Sequence, residues 1–508
     1  MEVCFVSAES YPGSLCKAEI VFARTELDGR AALAAKTPQR LIFCESSESR
    51  SGLRTITLAA SPALPGTLRS QQFELSCERF LPSFCTGEPL AYCDEGALWM
   101  KQQGDDQEID MVSDSPSELG SGEFLFDLLQ APRWTGLLPL IEFLRRVKAE
   151  EAWVPPPLRA CFMFDDPNLH RPTYGFVDYA ALARHAREHC YHVSIATIPL
   201  DAWFTHRRVA ALFRTEATRL SLLVHGNNHT YAELAQSYRD PEQEGLVAQS
   251  LKRMARLERT IDAPIPKVMT GPHGACSESM AGELLRQGYE AACISQSSLR
   301  SFNPQKSWPP AFGLEPAEFL SSGFPVTPRF RLSRTCLPNA IIAGWLGQPI
   351  VPVGHHQDLA GGLGLLAEMS EKINRLGAVS WSNMSQIVRG NFKHRVRGET
   401  LQLRMFARRI DVDVPPDTAT VQVDRSWLRR ANTTESLQVR MEGETWASVN
   451  EDIIRLPRTG GNGQKLELRS VCSQTADYRE VPSQRMHMWA ILRRAMTETR
   501  DRLHGRGS

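Results

Sequence analysis

Residues 160–170, which read ACFMFDDPNLH, decide the fold of the central part of this chain. The continuous apolar run ACFMF predicts a strand that is buried on both faces, and DDPN is typical of a turn that ends such a strand. Asp165 and Asp166 leave the strand side by side, and two carboxylates at a buried strand end cost free energy unless a ligand or a partner group uses them. A metal site is one explanation of this pair, and a solvated turn or a helix cap is the other.

Strands and helices alternate from this stretch onward, from about residue 159 to residue 381. The predicted strands are ACFMF, HVSIATI, LSLLV, KVMT, EAACIS, IIAGWL, PIVPV and AVSW. The predicted helices are DYAALARHAREHC, residues 231–261, SMAGELLRQG and GLLAEMSEKINRLG. Apolar strands bounded by amphipathic helices indicate an α/β fold with a buried parallel sheet. We expect residues 155–390 to form a (β/α) barrel, and an open doubly wound sheet is the alternative.

The region before this alternation, residues 1–150, has a different pattern. Short apolar runs (VCFVSA, LIFCE, TITLAA) separated by Gly, Pro and Ser predict a β-rich N-terminal domain. The acidic stretch 103–121 predicts an exposed loop or linker. The segments FLFDLLQ and GLLPLIEFLRRVKAEEAW have helical apolar spacing and predict a helical connection to the central domain.

The region after the alternation, residues 395–508, returns to a period of two. LQLRMFARRIDVDV, TATVQVD, SLQVRM and LELRSV predict a small antiparallel β-domain of the sandwich kind. The segment MHMWAILRRAMTETRDRL predicts a final amphipathic helix. The basic stretch 388–398, VRGNFKHRVRG, is interpreted as a solvated linker, with polyanion binding as the alternative.

Composition excludes several classes of function. A length of 508 residues predicts two to four domains. Lys plus Arg and Asp plus Glu number 58 each, so net charge gives no preference for nucleic acid or for a membrane surface. No apolar run is long enough to span a bilayer, and the N-terminus does not resemble a secretory signal. With no CxxC pair among the 12 cysteines, reduced thiols and a cytoplasmic location are expected, while the oligomeric state is left open.

A second polar cluster follows the predicted strand LSLLV. His225 and His229 are four residues apart in HGNNH, a spacing typical of metal ligands that share one face of a helical turn. Two imidazoles and one carboxylate make a three-ligand site with open coordination positions. Because this pair and the Asp165–Asp166 pair both follow strands of one predicted parallel sheet, we expect them to lie at the same edge. Two unrelated surface histidines are the alternative.

Three further polar clusters follow predicted strands. Pro272 and His273 lie in the tight loop GPHG after KVMT. His355 and His356 follow PIVPV, and a histidine at a strand end can act as a general acid near neutral pH. Asp201 and Trp203 in PLDAW are candidates to line the same pocket, although a packing tryptophan beside a polar aspartate explains them equally well.

The order and chemistry of these clusters resemble the polysaccharide deacetylases, the NodB-homology or carbohydrate-esterase-4-like superfamily. FMFDD is similar to the first motif of that superfamily, which implies that Asp165 is the catalytic base and Asp166 a metal ligand. The HGNNH stretch is similar to the second motif and implies that His225 and His229 are the other two ligands. VPVGHHQD resembles the segment that carries the general acid, here His355 or His356. The implied fold is a distorted (β/α) barrel.

The sequence departs from that pattern at two positions. Gly226 stands where the second motif usually has Ser or Thr, and Thr270 stands where the third motif normally has an arginine that orients the base. The aspartate–tryptophan motif has no clear counterpart. These departures indicate a divergent subfamily.

The resemblance implies a metal-dependent carbohydrate deacetylase, a hydrolase of non-peptide C–N amide bonds. The cofactor is expected to be Zn²⁺, with Co²⁺, Mn²⁺ or Ni²⁺ as alternatives. The substrate is expected to be an N- or O-acetylated sugar of a polysaccharide, glycolipid or precursor. The expected substrate-binding residues are Asn168, His170, Asp201, Trp203, Pro272 and His273.

Two other functions remain open. A glycan-binding or scaffolding protein with a degenerate deacetylase domain is favoured by the lost arginine and opposed by the complete Asp166, His225 and His229 set. A glycoside hydrolase that uses Asp165 and Asp358 as its acid–base pair requires no metal, and chelator resistance would distinguish it.

Overall fold

The computed structural model of this protein describes most of the chain. The described residues are 18–23, 25–34, 37–44, 52–76, 79–129, 134–428, 435–441, 444–449, 451–456, 464–472, 474–484 and 488–504. The chain divides into two compact units, residues 1–152 and residues 153–508.

The first unit contains a seven-stranded sheet. Its strands are β1 (Ala18–Ala23), β2 (Gln39–Cys44), β3 (Leu53–Leu58), β4 (Gln72–Ser76), β5 (Glu88–Cys93), β6 (Gly96–Gln103) and β7 (Glu108–Val112). Their order is β1-β2-β7-β6-β5-β3-β4. The helices are α1 (Glu26–Ala34), α2 (Trp134–Val147) and the 3₁₀ turns Leu125–Leu129 and Ala149–Glu151. The predicted strands LIFCE and TITLAA are confirmed, and VCFVSA lies outside the described residues.

The prediction of an exposed loop at residues 103–121 is wrong for its first half. Residues 108–112 form the inner strand β7, which is mostly buried and pairs with β2 and β6. The misleading residue is Asp110, which is fully buried. Its carboxylate accepts a hydrogen bond from the Trp99 indole at 2.8 Å and forms an ion pair with Arg146. A buried charge of this kind is tolerated because partners from other elements satisfy it.

The second unit begins with the predicted alternation of strands and helices. The strands are β8 (Arg159–Ala160), β9 (Phe162–Asp165), β10 (Thr173–Tyr174), β11 (Val177–Asp178), β12 (Val193–Thr197), β13 (Leu220–His225), β14 (Val268–Thr270), β15 (Ala291–Ile294), β16 (Glu318–Phe319), β17 (Pro325–Pro328), β18 (Phe330–Arg331), β19 (Pro352–Gly354) and β20 (Ser380–Trp381). The α-helices are α3 (Tyr179–Glu188), α4 (Arg207–Thr215), α5 (Asp240–Ile261), α6 (Glu278–Arg286), α7 (Gln296–Ser301), α8 (Leu337–Leu346), α9 (Gly364–Asn374) and α10 (Met384–Arg389). Four 3₁₀ turns complete the region: Pro199–Asp201, Glu233–Ala235, Pro272–Gly274 and His356–Leu359.

Side-chain caps fix where several of these helices begin. The Asp178 carboxylate accepts from the first backbone N–H groups of α3, and the Ser277 hydroxyl accepts from the N–H of Met280 in α6. Asn383 caps α10 in the same way. Such caps satisfy donors that have no partner inside the helix. The strand-to-helix turns are therefore set locally by the sequence.

Nine of these strands form one mixed sheet in the order β16-β17-β15-β14-β13-β12-β9-β19-β18. All neighbours run parallel except β16 and β17. Strands β17 and β18 follow each other directly in the chain, yet β17 pairs with β15 and β18 pairs with β19. The α/β fold class is confirmed. The carboxyl ends of β9, β13, β14 and β19, which carry the predicted site residues, lie at one edge because parallel strands point the same way.

Two predicted strands differ in the structure. IIAGWL belongs to helix α8, which is buried over its last seven residues. A short apolar run cannot be assigned by periodicity, and here Pro338 near the start and Gly347 (φ 74°) at the end favour the helix. AVSW does form β20, but β20 pairs with β8 in a separate two-stranded sheet. The helix predicted over residues 231–261 begins only at Asp240.

The rest of the second unit contains two four-stranded sheets. Their strands are β21 (Phe392–Arg397), β22 (Thr400–Met405), β23 (Arg409–Val414), β24 (Thr420–Asp424), β25 (Glu435–Met441), β26 (Ala447–Val449), β27 (Ile453–Arg455) and β28 (Gln464–Cys472). The orders are β21-β22-β24-β27 and β23-β28-β25-β26. The pairing is antiparallel as predicted, except between β22 and β24, which are parallel. Alternate residues of these strands are buried in a shared apolar core.

The final helix, Met488–His504, is amphipathic as predicted, but its apolar side faces outward. Trp489, Leu492 and Met496 are exposed, whereas Arg494 and Asp501 are buried. The polar side of this C-terminal helix packs on the rest of the second unit.

Among the described residues, no helix is both long enough and apolar enough to cross a membrane.

Candidate metal centre

Asp166, His225 and His229 converge in the second unit. His229 Nε2 lies 3.0 Å and His225 Nε2 3.4 Å from Asp166 Oδ1. One potential ligand atom from each residue lies within 4.8 Å of the others, the spacing expected of groups that share one ion. Asp166 directly follows β9 and His225 is the last residue of β13, so the two strand ends bring the carboxylate and the first imidazole together.

The loop after His225 depends on a glycine. Gly226 has φ 60°, and a Cβ atom there would lie 2.5 Å from both Glu233 Oε2 and Pro272 Cγ. Ser or Thr would therefore collide with its neighbours, which explains this departure from the superfamily pattern physically. His229 also has a positive φ, 57°, so the loop is held in a conformation that its residues rarely adopt.

Glu233 holds this loop in place. Its fully buried carboxylate accepts hydrogen bonds from the backbone N–H groups of Asn227 at 2.7 Å, Asn228 at 2.8 Å and His229 at 3.1 Å. Three charge-assisted bonds to consecutive N–H groups fix the backbone that positions His229. Glu233 could not be found from the sequence, because an acidic residue in a polar stretch carries no signal that it turns back onto the preceding loop.

Thr270 sets the tautomer of His225. Its hydroxyl donates its one proton to the carbonyl of Val224 at 3.1 Å, so the hydroxyl oxygen is an acceptor toward His225 Nδ1 at 2.7 Å. When His225 is a neutral metal ligand, its Nδ1 would therefore carry the imidazole proton and its Nε2 would be free to bind the ion. Ordering of a metal-ligating imidazole by a hydrogen bond to its other nitrogen is typical of metal sites. Thr270, which stands in the place of the expected arginine, thus supports a ligand instead.

The electrostatics of Asp166 suit a cation. Burial alone would raise the pKa of Asp166, but the imidazoles of His225 and His229 outweigh burial and hold the pKa well below its usual range. Asp166 Oδ1 is nevertheless a buried atom without a properly directed hydrogen bond. A buried carboxylate oxygen that faces two imidazole nitrogens without a well-directed hydrogen bond fits a divalent metal ion.

Asp165 pairs with an arginine that the sequence analysis did not identify. Arg329, between β17 and β18, places Nη1 2.9 Å and 3.2 Å from the two carboxylate oxygens of Asp165. Both side chains are less than a tenth exposed. Arg329 therefore provides the guanidinium that Thr270 lacks, from the link between two other strands of the same sheet. Only a prediction that β17 and β18 lie close to β9 could have found it.

The two candidate acids differ in environment. His355 is exposed, and its backbone N–H donates to Asp358 Oδ2 at 2.8 Å. His356 is buried, and its Nε2 lies 3.5 Å from Asp501 Oδ2 of the C-terminal helix. Burial would raise the pKa of Asp501, but hydrogen bonds from His356, Tyr174 and the neighbouring arginine lower it to about 2. Only His356 therefore has a carboxylate that can orient its ring.

The predicted substrate-binding residues lie in two places. Asp201 and His170 are engaged by the C-terminal helix: the Asp201 carboxylate accepts from Arg494 Nη2 at 2.6 Å, and His170 Nδ1 lies 3.2 Å from Glu498. Asn168 is fully buried and accepts from Arg502 at 3.2 Å. The C-terminal helix therefore lies against three residues that were predicted to contact substrate.

Two of the other three predicted residues lie close to the candidate metal ligands. The His273 ring centroid is 5.4 Å from that of His229 and 5.1 Å from that of Tyr231, which is 75% exposed. Pro272 lies against Gly226. Trp203, the third, is 65% exposed, and its ring centroid lies 4.9 Å from that of His170. Tyr231 and His273 therefore place aromatic rings beside His229.

The C-terminal helix also contacts the metal ligands themselves. Arg494 Nη2 donates to the backbone carbonyl of Asp166 at 2.8 Å, and Arg493 Nη2 lies 3.4 Å from His229 Nδ1. The sequence predicts this helix, but it does not predict that the polar side packs against the candidate metal centre. The apolar residues of the helix suggest instead that the apolar side is buried.

The basic stretch 388–398 is not a solvated linker. Residues 392–397 form strand β21, which pairs with β22, so that interpretation is wrong. Arg389 is paired with Glu290 at 2.7 Å and Lys393 with Glu315, and the Arg395 guanidinium lies over the Trp153 ring at 4.5 Å. The two ion pairs reduce the positive charge that this stretch offers to a polyanion.

Comparisons with known proteins gave structural matches alone, since no family model and no curated protein matches the chain. A polysaccharide deacetylase from Mycobacterium smegmatis is 14% identical over 46% of this chain and 92% of its own, with a TM-score of 0.33. A family 4 carbohydrate esterase from Streptomyces lividans is 11% identical over 45% and 92%, with a TM-score of 0.27. A family 4 pseudoenzyme from Bacillus anthracis is 9% identical over 46% and 66%, with a TM-score of 0.29. The solved structures that this chain resembles are therefore polysaccharide deacetylases and family 4 carbohydrate esterases, matched at 14% identity or less and with TM-scores of 0.33 or less.

Proposed function

We propose that the second unit is a metal-dependent hydrolase that removes acetyl groups from N- or O-acetylated sugars of a polysaccharide, glycolipid or precursor. The observation that carries this proposal is the convergence of Asp166, His225 and His229 from separate strand ends, with ligand atoms within 4.8 Å of one another. Such a set is costly to assemble from buried groups unless a ligand uses it.

Two imidazoles and a carboxylate suit Zn²⁺, and Co²⁺, Mn²⁺ and Ni²⁺ are accommodated by the same donors. Asp166 Oδ1, His225 Nε2 and His229 Nε2 are the atoms that would hold the ion. When bound, a divalent ion supplies a Lewis acid that polarises the acyl carbonyl and acidifies a water molecule.

The remaining chemistry falls to the chain's own residues. Asp165 would take the proton of the attacking water, because it neighbours the ligand Asp166 and its carboxylate is held in place by Arg329. His356 is the better candidate to protonate the leaving group, because Asp501 can hold its ring in one orientation. Tyr174 donates to Asp501 at 2.8 Å and accepts from Arg494 at 3.2 Å, which links this acid to the C-terminal helix.

The strand pairings support a distorted (β/α) barrel for this region. Because β17 pairs with β15 while the adjoining β18 pairs with β19, the segment 325–331 bridges the two ends of the parallel strand order. We infer a catalytic domain over residues 155–390, preceded by an accessory β-rich domain over 1–150 and followed by a β-sandwich-like domain over 395–508. The open edge of such a barrel, where strands end, is the usual place for a catalytic site.

A glycan-binding protein with a degenerate deacetylase domain is the second candidate. It is favoured by one observation: Asn168, His170 and Asp201, which are expected to meet substrate, are occupied by side chains of the C-terminal helix. This candidate predicts sugar binding without turnover, and a purified protein that cannot hold a divalent ion would favour it.

A paired measurement distinguishes these functions. Purified protein loaded with Zn²⁺ is tested for acetate release from N-acetylated chito-oligosaccharides and acetylated xylan, before and after removal of the ion by EDTA. The proposal predicts release that EDTA abolishes and added Zn²⁺ restores. It also predicts that Asp165→Asn retains the ion and loses turnover, whereas Asp358→Asn retains both. Glycan cleavage that resists EDTA and requires Asp358 would establish the glycoside hydrolase alternative instead.

A further inference from the structure

Arg493 differs from the other charged residues of the C-terminal helix. Within the described part of that helix, every other charged side chain has a partner of opposite charge. The pairs are Arg494 with Asp201, Glu498 with His170 and Arg502, Arg500 with Asp501, and Asp501 with His356. The guanidinium of Arg493 instead lies 3.4 Å from His229 Nδ1, and no carboxylate among the described residues pairs with it.

This contact cannot persist once His229 ligates a metal. A neutral imidazole that presents its Nε2 lone pair to an ion carries its proton on Nδ1, where it can only donate. The Arg493 guanidinium also only donates. Two donors 3.4 Å apart gain nothing from each other, so Arg493 then requires another acceptor.

The surrounding charges do not supply that acceptor. Asp165 is paired with Arg329, and Asp201 is paired with Arg494. Asp166 is the carboxylate left to balance the ion, and one carboxylate offsets only half the charge of a divalent cation. The metal centre together with Arg493 therefore carries excess positive charge, which attracts an anion.

The shape of the surroundings indicates where that anion comes from. Arg493 is half-buried, and next to His229 the exposed Tyr231 ring lies 5.1 Å from the His273 ring, between ring centroids. An exposed aromatic face suits a sugar ring, and a guanidinium suits a planar or tetrahedral oxyanion attached to it.

We propose that Arg493 is a specificity-determining residue that binds a carboxylate or phosphate group carried by the acetylated sugar close to its acetyl group. This inference rests on the proposed function for the identity of the substrate, but its test does not depend on turnover. The substrate class is thus an anionic acetylated sugar, and a neutral one is a weaker ligand.

Calorimetric titration of the Zn²⁺-loaded protein tests this inference with three sugars: N-acetylglucosamine, its 1-phosphate, and N-acetylmuramic acid. The first is neutral, the second supplies phosphate and the third supplies a carboxylate. We expect at least one anionic sugar to bind about tenfold or more tightly than the neutral one, the size of effect typical of a charge-assisted hydrogen bond. The anion that binds more tightly identifies the source of the charge.

Variants of Arg493 separate its contribution from that of the ion. Arg493→Gln is expected to remove the preference for the anionic sugar, and Arg493→Lys to retain part of it. Arg208→Gln, at an exposed position of α4, is the matched control and should keep the full preference. Unchanged thermal unfolding midpoints are expected, because Arg493 has no ion pair to lose.

Three results would overturn the inference: equal affinity for neutral and anionic sugars, no binding of either anionic sugar, or a preference that survives Arg493→Gln. The last result would mean that the ion alone attracts the anion. An Arg493-dependent preference without acetate release would leave the anion site standing and remove the proposed function. Acetate release from neutral and charged sugars at equal rates would support the proposed function and remove the anion site.

Discussion

Arg329 Nη1 lies 2.9 Å from Asp165 Oδ2, although 164 residues separate the two in the chain. This buried ion pair connects the end of β9 with the segment between β17 and β18. It holds the carboxylate proposed as the base in a fixed orientation. It also explains how the site can lack an arginine at residue 270 and still have a guanidinium beside that carboxylate.

Removal of one partner of this pair should be strongly destabilising. Arg329→Met leaves the Asp165 carboxylate buried and unpaired, and we expect a loss of about 3–5 kcal/mol in the free energy of unfolding. The double variant Arg329→Met/Asp165→Leu should recover much of that loss, because no unpaired charge remains. Urea unfolding gives the free energy of unfolding of the parent, the single variant and the double variant. Arg331→Met, at an exposed position two residues away, is the control and should change stability by less than about 0.5 kcal/mol. A loss equal to that of the control would contradict the pairing.

Thr270 should control metal affinity through His225. Thr270→Val keeps the shape but removes the acceptor for His225 Nδ1, and we expect about 10–100-fold weaker Zn²⁺ binding, the range typical of such supporting contacts. Thr270→Ser keeps the hydroxyl and should bind nearly as the parent does. Competition with a chromophoric chelator gives both affinities. Equal affinity of the Val and Ser variants would show that Thr270 does not orient the ligand.

Arg494 should anchor the C-terminal helix. Its guanidinium and the Asp201 carboxylate are each less than a tenth exposed, and Arg494 also donates to the Asp166 carbonyl. Arg494→Met leaves Asp201 buried without its partner, so we expect residues 488–504 to lose hydrogen-exchange protection by about 3–5 kcal/mol. Thr499→Ala, at an exposed position of the same helix, should leave protection almost unchanged. Comparable exchange in the two variants would argue against the anchor.

The docking of this helix should depend on pH at both ends of the accessible range. Burial would lower the pKa of His170, but Glu498 and the Asp201 carbonyl outweigh it and raise the pKa above 6.5. Because the pKa of His170 is higher in the folded protein than in the unfolded one, its contacts contribute their full stability at pH values below the unfolded pKa. That contribution is lost as the pH rises through the folded pKa. Burial would raise the pKa of Glu498, but His170 and Arg502 lower it from 4.5 to about 2. That contribution is present above 4.5 and is lost as pH falls toward 2.

The helix should therefore be best protected between about pH 4.5 and pH 6.5. Hydrogen exchange of residues 488–504, corrected for the intrinsic rate, measures this window. His170→Asn should abolish the loss of protection above the window. Glu498→Gln should make the loss of protection smaller both above and below it. A wild-type profile that is flat from pH 5 to about pH 8 would contradict the role of the pair.

The sequence predicts those parts of the fold and site that depend on local spacing. The apolar run before Asp165 predicts β9, and the H-x3-H spacing predicts that His225 and His229 share a site with Asp166. IIAGWL shows the limit, because an apolar run buried on all sides has the same composition as a strand or a helix.

Contacts between distant segments could not be predicted in this way. Arg329, Glu233 and Arg494 are ordinary charged residues in the sequence, and their importance depends on which strand end or helix lies beside them. The C-terminal helix illustrates this point, because its apolar period predicts a helix but also suggests the wrong buried face. Here ion pairs rather than apolar contacts decide which side packs inward.

The most direct test of the central claim is the Zn²⁺ stoichiometry and affinity of the purified protein, measured by equilibrium dialysis. The account predicts one tightly bound ion per chain, and a loss of that ion in Asp166→Ala, His225→Ala and His229→Ala alike. His189→Ala, at the end of α3, is the control and should bind as the parent does. A parent protein that binds no ion, or three variants that bind Zn²⁺ as tightly as the parent, would contradict the account.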